Sequence, residues 1–153
     1  MSTLSISTEL AKQLAFMQFN GEKFTIDGEK AYNEDKEEIE EWDESDDKYL
    51  VLTDEEATER TTEYIKQSLW AFNASFIIDH SKLPYEAEEM IANFQREKCE
   101  DANDVMEALI EDMDKFVADA ISADGRGHFM SSYDGQEHEE TIEGETFYIY
   151  RIN

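Results

Sequence analysis

The chain has 153 residues, of which 39 are Asp or Glu and 13 are Lys or Arg, giving a formal net charge of −26. Hydrophobic residues make up 40% and aromatic residues 12%, which separates the chain from disordered acidic proteins, since those are poor in aromatic residues. The charge excludes direct binding to nucleic acid and attraction to anionic lipid headgroups. Length and composition predict a single acidic domain over residues 1–153.

Cysteine content and apolar runs indicate the compartment. Cys99 is the single cysteine, so no disulfide can form within the chain. The first residues lack the charged region and apolar run of a secretory signal. No segment approaches the roughly 20 apolar residues that span a bilayer. We therefore expect a cytoplasmic protein without a membrane anchor.

The first predicted elements are a helix and a strand. The helix begins after Ser7 and places Leu10 and Leu14 on one face. Apolar and polar residues alternate in residues 22–27 (EKFTID), which is typical of a half-buried strand. An Asp-Gly pair at 27–28 then predicts a turn.

The densest charge lies in residues 34–47 (EDKEEIEEWDESDD), where ten of fourteen side chains are acidic. Tyr32, Ile39 and Trp42 are seven and three positions apart, so a helix would gather them on one stripe. We predict a helix from about residue 29 to 44 that docks through this stripe and turns its carboxylates to solvent. In this interpretation Trp42 is a core anchor; the alternative is an exposed contact in a protein interface.

A short strand is predicted for residues 46–52, and the capping box from Thr53 to Glu56 starts the next helix. This helix continues past Asn73 or breaks there. Its expected apolar face consists of Ala57, Tyr64, Ile65, Trp70 and Phe72.

Pro84 favours the first turn of a further helix that ends near Cys99, where the cysteine is expected to be buried. The expected apolar face of this helix is Ala87, Met90, Ile91 and Phe94. One long helix is predicted over residues 101–124, with a Gly at 125 ending it. Its apolar stripe is Met106, Leu109, Ile110, Met113, Phe116, Val117, Ala120 and Ile121.

The last residues change character. Residues 127–135 (GHFMSSYDG) are strand-like, residues 136–145 are expected to form a loop or wide hairpin, and residues 146–152 (TFYIYRI) predict a final strand. The predicted fold class is α+β, with three to four amphipathic helices packed beside a small, mostly antiparallel sheet.

The acids cluster in a way that suggests a binding surface. Glu107, Glu111 and Asp114 would form a row on the outer face of the long helix, where like charges are destabilising. Asp112, Asp114 and Asp119 would also approach the negative end of its dipole. At one charge per 1.7 Å of duplex axis, 26 net charges correspond to about 44 Å of DNA. In composition and size the chain resembles phage- and plasmid-encoded DNA mimics, which block restriction, repair or CRISPR enzymes.

The sequence therefore predicts a non-enzymatic inhibitor or regulator, of the anti-restriction or anti-CRISPR kind, whose acidic surface blocks a basic nucleic-acid-binding protein. It predicts no cofactor and no metal site, since no segment matches an EF-hand and the histidines lack zinc-ligand spacing with the cysteine. The candidate partner-binding residues are Glu37, Glu38, Glu40, Glu41, Asp43, Glu44, Glu107, Glu111 and Asp114.

Two other functions stay open. The protein could be an acidic adaptor that binds a basic partner without imitating DNA. It could also be a small hydrolase or nucleotide-handling enzyme, in which either Arg126 and His128 bind an anion or His128 is a general base with Ser131 or Ser132 as the nucleophile. Arg126 pairing with nearby carboxylates is the simpler interpretation. A homodimer would double the length of the acidic face.

Overall fold

The computed structural model describes residues 3–41 and 48–153. The helices of this part are α1 (Thr8–Phe19), α2 (Asp54–Gln67), α3 (Ala74–Asp79), α4 (Glu88–Lys98), α5 (Asn103–Leu109), α6 (Met113–Asp124) and α7 (Arg126–Met130). The strands are β1 (Phe24–Asp27), β2 (Lys30–Asn33), β3 (Tyr49–Thr53), β4 (His138–Ile142) and β5 (Glu145–Arg151). The α+β class predicted from the sequence is confirmed.

The chain divides into two compact units. The first contains residues 1–58 and 126–153, and the second contains residues 59–125. All five strands belong to the first unit, whereas α3 to α6 belong to the second. The single-domain interpretation of residues 1–153 stays a prediction.

The strands of the first unit form two antiparallel sheets. β1 and β2 pair as a hairpin, and β5 lies between β3 and β4 in a three-stranded sheet. The final strand predicted from TFYIYRI is confirmed as β5. The preceding acidic residues form β4 and a tight turn at Glu143 and Gly144, both with positive φ, so the hairpin is narrower than the sequence suggested.

Helix α1 covers the three-stranded sheet and forms the core of the first unit with it. The Ser7 side chain accepts a hydrogen bond from the Leu10 amide at 3.1 Å, as predicted for a helix cap. Leu14 and Phe147 are both fully buried. The larger cluster that they belong to consists of Ile6, Leu10, Ala11, Leu14, Ala15, Ala31, Ile39, Val51, Ile142, Phe147 and Ile149.

The capping box predicted at the start of α2 is confirmed. The Glu56 amide donates to the Thr53 hydroxyl at 3.2 Å, and the Thr53 amide donates back to the Glu56 carboxylate at 3.0 Å. Ala57 and Ile65 are fully buried as expected, but Tyr64 is 50% exposed. The helix ends at Gln67, because the chain turns through a 3-10 segment before α3.

The largest difference from the predicted elements lies in the second unit, where two helices, α5 and α6, replace the single helix predicted over residues 101–124. Ile110 adopts an extended conformation between α5 and α6, and Asp112 caps α6 by accepting from the Lys115 amide at 3.1 Å. The Glu111 amide donates to the His80 carbonyl instead of continuing the helix. The apolar spacing continues across the break, so periodicity alone predicted one helix where two exist. Gly125, with φ +82°, ends α6 as predicted.

Helix α4 begins after Pro84 and a 3-10 turn (Tyr85–Ala87), and it ends at Cys99 as predicted. Ile91 is buried, but Met90 is 61% exposed although the sequence placed it in the core. Cys99 is exposed, not buried. None of the helices within residues 3–41 and 48–153 has the length and apolar character needed to cross a bilayer.

Candidate functional site

The acidic segment, defined here as residues 34–41 (EDKEEIEE), does not form the predicted helix. It follows β2 through a turn in which the Asn33 side chain accepts from the amides of Asp35, at 2.9 Å, and Glu37, at 3.0 Å. Lys36 has φ +64° within this turn. An asparagine side chain that satisfies nearby amides competes with helix formation, and the closely spaced carboxylates would repel one another on a helix.

Ile39 anchors the acidic segment to the first unit. Its amide donates to the Ala31 carbonyl at 2.8 Å, and a β-bridge pairs Tyr32 with Glu38. Ile39 is only 8% exposed and packs in the core of the unit. The expectation that Ile39 docks on the core is correct, but an extended strand-like segment holds it there in place of a helix.

All six carboxylates of the acidic segment are exposed. Glu38 forms an ion pair with Lys30 at 3.8 Å, and both side chains are exposed, so the pair is weak. The Glu41 carboxylate accepts a hydrogen bond from the Ser7 hydroxyl beside the start of α1. The predicted residues Glu37 and Glu40 lie on either side of the buried Ile39. Six acids and Lys36 within eight residues give this surface a strong local field.

Three residues of the predicted acidic helix lie outside the described residues. Trp42, Asp43 and Glu44 follow directly after the acidic segment in the sequence. Their predicted roles, as core anchor and as partner-binding carboxylates, stay predictions.

The second predicted group does not form a row on one helix. Glu107 lies on α5, Glu111 lies in the connection after it, and Asp114 lies in the first turn of α6. All three are exposed. The prediction of a common helical face is wrong, because the helix is interrupted at Ile110.

The break also reverses the dipole argument for these acids. Asp112 is the N-cap of α6 and Asp114 lies in its first turn, so both are near the positive end of a helix dipole, where carboxylates are stabilising. Asp119 accepts from Lys115 at 2.6 Å and from His80 at 2.8 Å, and its pKa is lowered first by the Lys115 hydrogen bond and then by that from His80. These acids therefore have structural roles, and their presence is weaker evidence for a binding surface.

The hydrogen bonds of the two predicted nucleophile serines run to groups other than His128. Residues 126–130 form helix α7 in place of the predicted strand, and His128 is exposed on it. The Ser131 hydroxyl lies 2.8 Å from the Asp134 carboxylate and 2.6 Å from the Arg151 carbonyl, and its single proton is donated between these two acceptors. The Ser132 hydroxyl donates to the Ile152 carbonyl at 2.8 Å. Both hydroxyls therefore tie α7 to the end of β5.

Arg126 pairs with carboxylates, as the simpler interpretation of the sequence predicted, and it lies at the centre of a polar cluster whose members the sequence did not indicate. Its guanidinium donates to Glu137 at 2.8 Å, to Asp54 at 2.8 Å and to the Thr58 hydroxyl at 3.1 Å. It also lies 4.5 Å from the ring centroid of Tyr148. Burial lowers the pKa of Arg126, but the hydrogen bonds to Asp54 and Glu137 outweigh it and raise the pKa overall. The Nε and Nη1 groups of this guanidinium are thus engaged by groups of the protein itself.

A second buried cation, Lys12, connects α1 with the capping box of α2. Its ammonium lies 2.8 Å from Glu56 and 3.5 Å from Glu9, and its side chain is only 10% exposed. Partial burial raises the pKa of Glu56. The hydrogen bonds from Lys12 and from the Thr53 backbone outweigh that effect and bring the pKa below its ordinary value of 4.5.

The lowered pKa of Glu56 predicts a pH-dependent contribution to stability. A carboxylate with a depressed folded-state pKa stabilises the fold above its unfolded pKa, and this contribution is lost as the pH falls through the folded value. The wild-type free energy of unfolding should therefore exceed that of Glu56→Gln at pH 7, and the difference should shrink below pH 4.5. Urea unfolding of both proteins from pH 7 to 3 measures this difference. Comparing them cancels the general relief of charge repulsion on acidification; a pH-independent difference would contradict the prediction.

Within residues 3–41 and 48–153, no group of three or more His, Cys, Asp or Glu side chains is arranged to hold a metal ion. The exposed Cys99 thiol lies 3.5 Å from the Arg96 carbonyl.

Comparison of the chain with protein-family models, with curated proteins and with solved structures found no match. Fold and surface together define an acidic α+β protein.

Proposed function

We propose that the protein is a non-enzymatic inhibitor or regulator that uses the acidic segment to occupy a basic, nucleic-acid-binding surface of a partner protein. The observation that supports this function best is a run of exposed carboxylates held on a folded hairpin by the buried Ile39. A charge run that is only solvated needs no such anchor. The first unit contains 23 acidic and seven basic residues, a net charge of −16, which would steer a basic partner towards the segment.

The extended conformation around Ile39 also suits imitation of a nucleic acid strand. Residues in a β-strand rise about 3.3 Å each, and phosphates of one DNA strand are spaced about 3.4 Å along the axis. Successive side chains of a strand point to opposite faces, so Glu38 and Glu40 both lie opposite the buried Ile39, about 6.6 Å apart along the segment, which is roughly twice the phosphate spacing. We therefore propose that the carboxylates of the acidic segment, held against β2, are presented to the partner with the spacing of a strand.

Capture with nucleic acid as competitor tests this function. The immobilised protein is incubated at low salt with the heparin-binding fraction of a bacterial lysate, which is enriched in nucleic-acid-binding proteins. We expect one partner to be retained, to be released by DNA, and to be lost steeply with increasing salt, because exposed charge pairs are screened. A partner that stays bound while it holds DNA would favour the adaptor function instead.

A further inference from the structure

A shallow groove on α4 of the second unit combines apolar and acidic side chains. Two parallel rows of residues, each with a spacing of four, border it along one side of the helix and its preceding 3-10 turn. The lining residues are Glu86, Met90 and Phe94 in one row, and Glu89, Asn93 and Glu97 in the other.

The apolar side chains of this groove are exposed to solvent and are not packed in the core of the second unit. Met90 is 61% exposed, and Phe94 is half-buried. The buried face of α4 is formed instead by Ile91 and Gln95, and the Gln95 amide donates to the Phe72 carbonyl at 2.8 Å. Met90 therefore lies beside the packed face and contributes little to it. Flexible, polarisable methionine side chains are common on surfaces that bind helices.

The charged residues that line the groove are all acidic. Three of its six lining residues are glutamates. The Arg96 guanidinium reaches the edge of the groove, where it donates to the Asn93 side chain, and Lys98 is not a lining residue. An apolar row beside an acidic row is complementary to a partner helix whose apolar ridge is flanked by basic residues.

We propose that this groove binds a basic amphipathic helix of a partner protein. Grooves between rows with a spacing of four accept the side-chain ridge of a second helix, and apolar anchors at helical spacing are the usual contacts of a helix in a groove. Residues 89 to 97 span about 12 Å along the helix axis, so the groove accommodates about two turns of the partner. A second copy of this chain is disfavoured as the partner, because its net charge of −26 would be repelled by the glutamates of the groove.

The test uses two fluorescent helical peptides of identical composition at 150 mM salt. In the first, leucines form one ridge with lysines on both sides; in the second, the same residues are scrambled so that no ridge forms. We expect the ridge peptide to bind at least tenfold more tightly, as measured by fluorescence anisotropy. Equal binding would overturn the proposal, because general attraction to an acidic protein would then suffice.

Two pairs of variants locate the binding in the groove. Met90→Asp should weaken the ridge peptide at least tenfold, whereas Val105→Asp, which changes another exposed apolar residue, should have less than a twofold effect. Glu89→Gln with Glu97→Gln should weaken binding severalfold, and the charge-matched Glu59→Gln with Glu100→Gln should not. Circular dichroism checks the fold of each variant. Equal effects within either pair would overturn the proposal.

Sedimentation of the wild type and of Met90→Asp tests whether a second copy of this chain occupies the groove. We expect both to have the same oligomeric state. Self-association that Met90→Asp abolishes would show that a second copy fills the groove, and it would overturn a basic partner helix. None of these measurements involves the acidic segment, so the proposal fails or succeeds independently of the proposed inhibitory function.

Discussion

Replacing Arg126 with methionine is expected to lower the free energy of unfolding by roughly 2–3 kcal/mol. Removing one partner of a buried ion pair costs about 3–5 kcal/mol, because the other charge is left uncompensated. The Arg126 side chain is 13% exposed and that of Glu137 is 25% exposed. Asp54 is 68% exposed, so its contribution is screened by solvent, and the expected loss is below that range.

The groups around Arg126 explain why the loss is concentrated there. Tyr150 is fully buried and its hydroxyl donates to Glu137; burial, followed by this hydrogen bond, raises its pKa. Without the guanidinium, the negative charge of Glu137 is stabilised by the Tyr150 hydroxyl alone among these two donors. α7 would also lose its connection to Asp54 at the start of α2.

Urea unfolding measures this prediction, with Arg60→Met as the matched control. Arg60 is exposed on α2, so its replacement should change stability by less than about 0.5 kcal/mol. Arg126→Lys should fall between wild type and Arg126→Met, because an ammonium keeps the charge but lacks the planar fork that bonds two carboxylates. If Arg126→Met unfolds like the Arg60 control, the cluster is not a stabilising element.

Neutralising the acidic segment is expected to produce the largest loss of partner binding. Glu37→Gln, Glu40→Gln and Glu41→Gln together should weaken binding to the captured partner at least tenfold, because three exposed carboxylates no longer face its basic surface. Glutamine at position 41 can still accept from Ser7. Lower charge density also reduces repulsion, so the variant should not be less stable.

The second predicted group supplies a control with the same change in charge. Glu107→Gln, Glu111→Gln and Asp114→Asn remove three carboxylates from the second unit. Asp114 lies in the first turn of α6. We expect less than a threefold change in affinity, measured by anisotropy or calorimetry at fixed salt. Equal losses in both triple variants would mean that net charge, and not the acidic segment, determines binding.

Local patterns in the sequence predicted the elements whose formation depends on near neighbours. The Ser7 cap, the Thr53–Glu56 capping box and the aromatic, β-branched strand β5 each rest on contacts within a few residues or on a strong alternation. Ile39 was also correctly placed in the core. Capping chemistry and side-chain alternation act over a few residues, so the sequence displays them directly.

Other elements depend on contacts that the sequence does not display. Asn33 satisfies the amides after β2 and so prevents the acidic helix, a side-chain role that the apolar period at Tyr32 and Ile39 conceals. Arg126 and Asp54 are 72 positions apart, so the cluster that fixes α7 was not apparent. Gly127 shows the same effect: a Cβ there would lie 2.6 Å from the Gly135 carbonyl oxygen, which a local pattern cannot indicate.

The measurement that tests the proposed function most directly is a competition titration with the purified partner. Labelled DNA bound to that partner is displaced by increasing amounts of the wild type or of the acidic-segment triple variant. The proposal predicts that the apparent Kd for DNA rises in proportion to wild-type concentration, as mutual exclusion requires, and that the variant needs at least tenfold more protein. A DNA affinity that stays constant while both ligands bind the partner together would contradict it.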